Sequence, residues 1–140
     1  NNKFLNPIME RIRKRYICKK QIKKGISGTK ELLKEFKKGT SIALMIDQRV
    51  SEGIKSNLFG KEALTTTIPA QFIKKFDASV VPMHIERLVD DTFKLKIQGS
   101  IKFSNDETVN EITQKLNKIL EKMIMTNPDQ WIWTHNRWKI

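Results

Sequence analysis

The residues best placed to do chemistry are Asp47 and Gln48. They follow directly on Ile42-Ala43-Leu44-Met45-Ile46, a continuous apolar run, and precede a stretch, 49–61, that holds Gly53 and Gly60 and reads as a loop. An apolar run that stops abruptly at polar residues is the pattern of a central strand buried on both faces. In open α/β sheets ligands gather beyond the carboxyl ends of such strands, so a carboxylate and an amide here would orient a partner side chain or bind polar groups of a substrate. The same spacing also suits an Asp that caps the following loop. A second chemical feature is cationic: eight of the fourteen positions from Arg11 to Lys24 are Lys or Arg, with Arg11 and Arg13 among them. Such a face attracts anionic headgroups, phosphorylated substrates, nucleic acid or an acidic carrier protein, or it is simply solvated.

The only histidines are His84 and His135. His84 sits in an apolar stretch and reads as a satisfied core histidine rather than a base. His135 has no carboxylate at helical or strand spacing, although Asp129 is near in sequence. No Ser/His/Asp order, Gly-rich phosphate loop or metal-ligand spacing is present, so neither a metal nor a cofactor is expected. Trp131, Trp133 and Trp138 are interleaved with His135, Arg137 and Lys139. Tryptophan favours boundaries between apolar and wet surroundings, but packing as a clamp over the end of the fold is the preferred reading. Leu58-Phe59-Gly60-Lys61-Glu62-Ala63 is apolar for a surface loop; it would line an acyl-chain groove, touch membrane or fold down on the core.

The elements that must position these residues follow from periodicity. Asn6-Pro7 opens a helix to about Arg15, with Ile8, Met9, Ile12 and Tyr16 in helical spacing. Tyr16-Ile17-Cys18 would make a short strand. A second helix spans about Lys30 to Lys38 and stops at Gly39; a third begins near Thr66 or Thr67 with Pro69 in its first turn. Val80, Val81, Met83 and Ile85 form a strand in which Pro82 marks a bulge or edge. Phe93, Leu95 and Ile97 alternate with Lys94, Lys96 and Gln98, a strand with one wet face, and Asp90-Asp91 would turn the two into a hairpin. A Ser104 to Glu107 capping box opens the last helix, whose stripe is Val109, Ile112, Leu116, Ile119, Leu120 and Met123 and which ends at Asn127-Pro128. The fold class is therefore α/β, a mixed sheet with flanking helices.

The 140 residues are enough for one domain with a real core. No window approaches the ~20 apolar residues of a membrane span, and the single Cys18 cannot form an internal disulfide. The net charge of +12 is concentrated: residues 1–40 hold 13 basic and 3 acidic residues, whereas residues 41–140 hold 14 and 12. A basic nucleic-acid-binding module is one alternative, but the aromatic residues are not interleaved with the basic run as stacking platforms would be.

Ordered along the chain, several pieces resemble the lipid A biosynthesis acyltransferases, a family that adds secondary lauroyl or myristoyl chains to the lipid A precursor. They are Asn1-Asn2 through Arg11 and Arg13, Met45-Ile46-Asp47-Gln48, Leu58-Phe59-Gly60 with Thr65 and Pro69-Ala70, Val80-Val81-Pro82, and the closing run from Asn127-Pro128-Asp129-Gln130-Trp131 to Lys139. The resemblance implies a partial glycerolipid-acyltransferase-like fold, with residues 1–140 as the C-terminal part of a single acyltransferase domain on the cytoplasmic face of a Gram-negative inner membrane. It implies an acyl carrier protein as donor, a lipid A precursor as acceptor, contact with an anionic membrane surface, and no nucleic acid. It also implies catalysis by an HxxxxD/E motif, which neither histidine satisfies: five residues after His84 stands Val89, and His135 is followed five residues on by Ile140. The catalytic pair and a membrane helix are thus expected upstream of Asn1. The substrate-binding residues that the resemblance carries over are Arg11, Arg13, Asp47 and Gln48, arginine being suited to two-pronged contact with phosphate.

Overall fold

In the computed structural model, which describes residues 3–22 and 25–139, contacts divide the chain into two compact units, 1–43 and 44–140. Asn1-Asn2 of the family pattern and Lys23 and Lys24 of the basic run lie outside the described residues.

The first unit holds two helices, α1 (Leu5–Tyr16) and α2 (Ile26–Lys37). α1 continues to Tyr16, so the short strand expected at 16–18 does not form; Ile17 and Cys18 instead bond back to the Arg13 carbonyl at the helix end. Three cations, Arg13, Lys14 and Arg15, occupy its last turn, where the helix dipole favours positive charge. α2 starts earlier than its periodicity predicts, but it stops as expected. Gly39 takes φ 83°, its N–H bonds the Phe36 carbonyl and that of Thr40 bonds Glu35, the paired bonds of a Schellman cap. Glu35 accepts from Lys20 (2.8 Å) and Lys38 (2.9 Å), tying the connection to α2.

The second unit contains β1 (Ile54–Leu58), β2 (Lys61–Thr65), α3 (Ile68–Phe76), β3 (Met83–Arg87), β4 (Phe93–Ile97) and α4 (Val109–Ile124). Helices and strands are mixed as expected, but the single mixed sheet is not: the described strands form two separate antiparallel pairs, β1–β2 and β3–β4. The β1–β2 hairpin occupies much of the stretch that reads as a loop. Its two-residue turn, Phe59-Gly60, has positive φ at both positions (52° and 78°), the backbone that matches strand twist. A phenylalanine there is unusual, and two side chains hold it. Glu121 accepts from the Phe59 N–H at 2.7 Å and Asn57 Oδ1 from that of Gly60 at 2.8 Å.

The apolar run before Asp47 is likewise not a strand. Met45 is 72% exposed and Leu44 is exposed, while Ile46 alone of residues 44–46 packs inward. A doubly buried strand needs a hydrogen-bonded neighbour on each edge, and no described residue pairs with this run.

α4 is the organising element. One end of its stripe, Ile112 and Leu116, packs with Ala70 and Ile73 of α3 and with Phe103; the other, Leu120 and Ile124, packs with Leu58 and Ala63 of the hairpin. Its capping box is Thr108 with Glu111, not Ser104 with Glu107. The earlier pair forms a preceding turn in which Glu107 accepts from the Ser104 N–H at 2.7 Å. The reason is that both segments fit the same S/T-x-x-E pattern, and only the second abuts the apolar stripe.

The β3–β4 hairpin turns where expected, with Asp91 at φ 60°, and pairs antiparallel from Met83↔Ile97 to Arg87↔Phe93; its first strand starts at Met83, and Val80 forms only an isolated bridge with Ile101. Its faces are inverted. Met83, Ile85, Phe93, Leu95 and Ile97 are 48–69% exposed, whereas Glu86 turns inward to Lys96 (2.7 Å) and Asn127 (2.6 Å). His84 lies on that polar face opposite Lys96, and neither ring nitrogen has a hydrogen-bond partner among the described residues. It is therefore not the satisfied core histidine expected from its apolar neighbours.

Candidate active-site cleft

Asp47 and Gln48 line one cleft of about 90 Å³ with Trp131, Ile132 and His135. Sequence reasoning placed the pair at a rim and the tail as a clamp; the structure brings the two together. Ile46 anchors one side by packing against both core clusters. From there the chain is fastened by Arg49 and Val50. The Val50 N–H bonds the Leu64 carbonyl of β2 at 3.3 Å. The Arg49 N–H bonds His135 Nε2 at 3.2 Å, and its guanidinium donates to the Lys139 carbonyl and to Ser51 Oγ. In a neutral imidazole, accepting at Nε2 places the proton on Nδ1, so His135 serves here as a tether and not as a base at Nε2.

The tail fulfils the packing reading. Trp131 meets Trp133 and Trp138 edge-on (ring centroids 4.6 and 5.9 Å apart), and Phe59 of the hairpin turn lies 6.4 Å from Trp131. Trp138 Nε1 donates to the Leu58 carbonyl at 3.0 Å and Trp133 Nε1 to that of Pro128 at 2.7 Å, so both indoles satisfy their polar edge. The segment Leu58-Phe59-Gly60 thus folds down on the core, its composition explained by Leu58 in the core cluster and Phe59 against the tryptophans.

Arg137 is the residue that sequence reasoning missed. It is 1% exposed, its Nη atoms donate to the Leu64 carbonyl and to Thr65 Oγ1 (2.9 Å), and Nε has no partner among the described residues. Burial pushes the guanidinium down from its ordinary value, and the Asp47 carboxylate opposes that shift. The only sequence signal was an Arg set among three tryptophans, where a solvated cation is the commoner outcome.

Arg11 and Arg13 both stand exposed on α1. Residues two apart on a helix do not share a face, so only one of them can meet a given ligand from this helix. A larger recess of about 720 Å³, lined by Ile85, Arg87, Leu88, Phe93, Asp129 and Gln130 among others, contains none of the four nominated residues.

Comparison with protein families gives a match to the bacterial lipid A biosynthesis acyltransferases over residues 1–140, and the chain belongs to that family. A comparison with curated proteins finds no match. Among the described residues no helix is long and apolar enough to cross a membrane.

Proposed function

We propose that the protein transfers a fatty acyl chain from an acyl carrier protein to a lipid A precursor in lipopolysaccharide biosynthesis, on the cytoplasmic face of a Gram-negative inner membrane. Family membership across residues 1–140 carries the reading. The residues of this chain supply the supporting half of the site. A histidine and acidic residue of an HxxxxD/E motif, preceding Asn1 in the full polypeptide, supply proton transfer. The histidine takes the proton of a lipid hydroxyl, the oxygen attacks the thioester carbon, the C–S bond breaks, and the proton passes to the departing carrier thiolate. Asp47 and Gln48 orient polar groups at the cleft, and Arg11 or Arg13 holds a phosphate of the acceptor at an anionic membrane surface.

The test is transfer by the full-length protein from acyl carrier protein thioester to the precursor. Asp47→Ala, and one of the two variants Arg11→Ala and Arg13→Ala, are expected to lose tenfold or more of kcat/KM, about 1.4 kcal/mol or more of transition-state stabilisation. Unchanged activity in all three variants would remove these residues from the site, and absence of transfer by the intact enzyme would reject the reaction.

A further inference from the structure

Residues 47 and 48 hang between two fixed points. Before them Ile46 packs against the core, and after them the Arg49 backbone N–H is held by His135 Nε2 at 3.2 Å. That bond fixes the backbone next to Gln48, and His135 also lines the cleft on which Asp47 and Gln48 open. The Arg49 guanidinium adds a contact to the Lys139 carbonyl, and Val50 bonds the Leu64 carbonyl at 3.3 Å. The acceptor at His135 differs from those carbonyls in kind. An imidazole nitrogen accepts only while it is neutral; a proton at Nε2 turns it into a donor facing the Arg49 N–H, and the bond is lost. Histidine is the side chain that ordinarily makes this change between about pH 5 and 8, and this bond is exposed to solvent. Charged groups on the joined elements act in both directions. Arg49 on the loop and Arg137 and Lys139 on the tail oppose a further cation, whereas Asp47 on the loop and Asp129 on the tail favour it. β2, to which both segments are bonded, carries Lys61 and Glu62, the latter paired with Lys55 at 3.1 Å.

We propose that His135 is a positioning residue of the acyltransferase site and a pH-sensitive latch on it: neutral, it holds the Arg49 backbone and with it the Asp47-Gln48 turn at the cleft; protonated, it lets them go. This rests on the acyl-transfer reading above. His135 moves no proton in the reaction; it acts through the Arg49 backbone.

Two variants of the full-length enzyme separate the acceptor from the ring. His135→Phe keeps a ring of similar size and accepts nothing, so kcat at about pH 8 should fall about fivefold, the worth of one ordinary hydrogen bond, with KM for the carrier thioester little changed. His135→Gln carries an amide oxygen that accepts at any pH and should recover most of that loss. Other titrating groups, the catalytic pair included, are common to both enzymes, so the ratio of wild-type kcat to His135→Gln kcat cancels them. That ratio should drop about fivefold between about pH 8 and about pH 5 as the wild-type latch opens. A ratio that stays flat, a His135→Phe enzyme as fast as wild type, or a His135→Gln enzyme no faster than His135→Phe overturns the proposal.

Hydrogen exchange at the Arg49 amide gives a readout independent of activity. Compared at about pH 8, exchange should be faster in His135→Phe than in wild type or His135→Gln; compared at about pH 5, it should be faster in wild type than in His135→Gln. Equal exchange in all of these proteins rejects the latch even if transfer is observed. The expected exchange pattern with no transfer by wild type rejects the reaction instead, and with it the part of His135 in it.

Discussion

Asn117 is completely buried at the point where α4 meets the β1–β2 hairpin, and its replacement should be costly in a way that distinguishes polar from steric loss. Its Nδ2 faces three acceptors, the Asn57 carbonyl (3.0 Å), Ser56 Oγ (3.2 Å) and Thr65 Oγ1 (3.3 Å). Two protons serve at most two of these well, so Asn117→Ala forfeits about two hydrogen bonds of ~1 kcal/mol each and leaves a cavity worth about another 1 kcal/mol. No acceptor is stranded: Gln114 also bonds the Asn57 carbonyl and Ser56, and Arg137 bonds Thr65. The expected loss is therefore about 3 kcal/mol and not more. Asn117→Asp keeps the volume but sets a carboxylate against acceptors. Ser56 and Thr65 can donate to it only by abandoning Gln114 and the Ala63 carbonyl. This variant should be less stable than the alanine by at least ~1 kcal/mol. Urea unfolding followed by tryptophan fluorescence, with m unchanged, measures both. If Asn117→Asp proves as stable as Asn117→Ala, hydrogen-bond donation is not what fastens α4 to the hairpin.

Two further perturbations probe the parts that carry the cleft and the basic helices. Gly53→Ala places a methyl 2.6 Å from the Thr65 carbonyl carbon and 2.9 Å from its nitrogen, both backbone atoms that cannot swing away; a loss of about 1–3 kcal/mol in thermal unfolding is expected. The Glu35 carboxylate is drawn down from 4.5 to about 2, chiefly by its hydrogen bond to Lys20 and then by Lys38. Because its folded value is the lower one, the stabilisation is present above pH 4.5 and disappears as pH falls through about 2. The side-chain carbonyl resonance of Glu35 should titrate near that lower value and move upward in Lys20→Met; a midpoint at 4.5 in the wild type would contradict the ion pairs.

Local signals were read well from sequence where one residue type decides the geometry. Gly39 ends α2, Pro69 opens α3 and Asp90-Asp91 turns the second hairpin, because each acts through its own backbone. The errors share a different cause. The run Ile42–Ile46 is a strand by composition, but a strand exists only when a neighbour pairs with it. The β1–β2 hairpin was hidden because its turn uses Phe59 where Asn or Asp would have announced it, the left-handed backbone being held by Glu121 from 62 positions away. At the cleft, Asp47, Gln48 and the tryptophan tail were legible as separate features; that the tail passes under the loop, with Arg137 inside, depends on contacts more than 70 residues apart.

The inverted β3–β4 hairpin sets how this chain behaves as a material. Five large apolar side chains form a continuous outward surface on a two-stranded ribbon, and neither strand is paired on its far edge among the described residues. Most of the ribbon's charge lies on its inner side, where Glu86 holds Lys96 and Asn127; of the strands' charged residues only Arg87, opposite Phe93, shares the apolar face. An unguarded edge beside an apolar sheet face is a template for strand addition. Solutions of the isolated chain should therefore self-associate as concentration rises despite the net charge of +12, and lysine at Ile85 or Leu95 should raise solubility with little loss of stability.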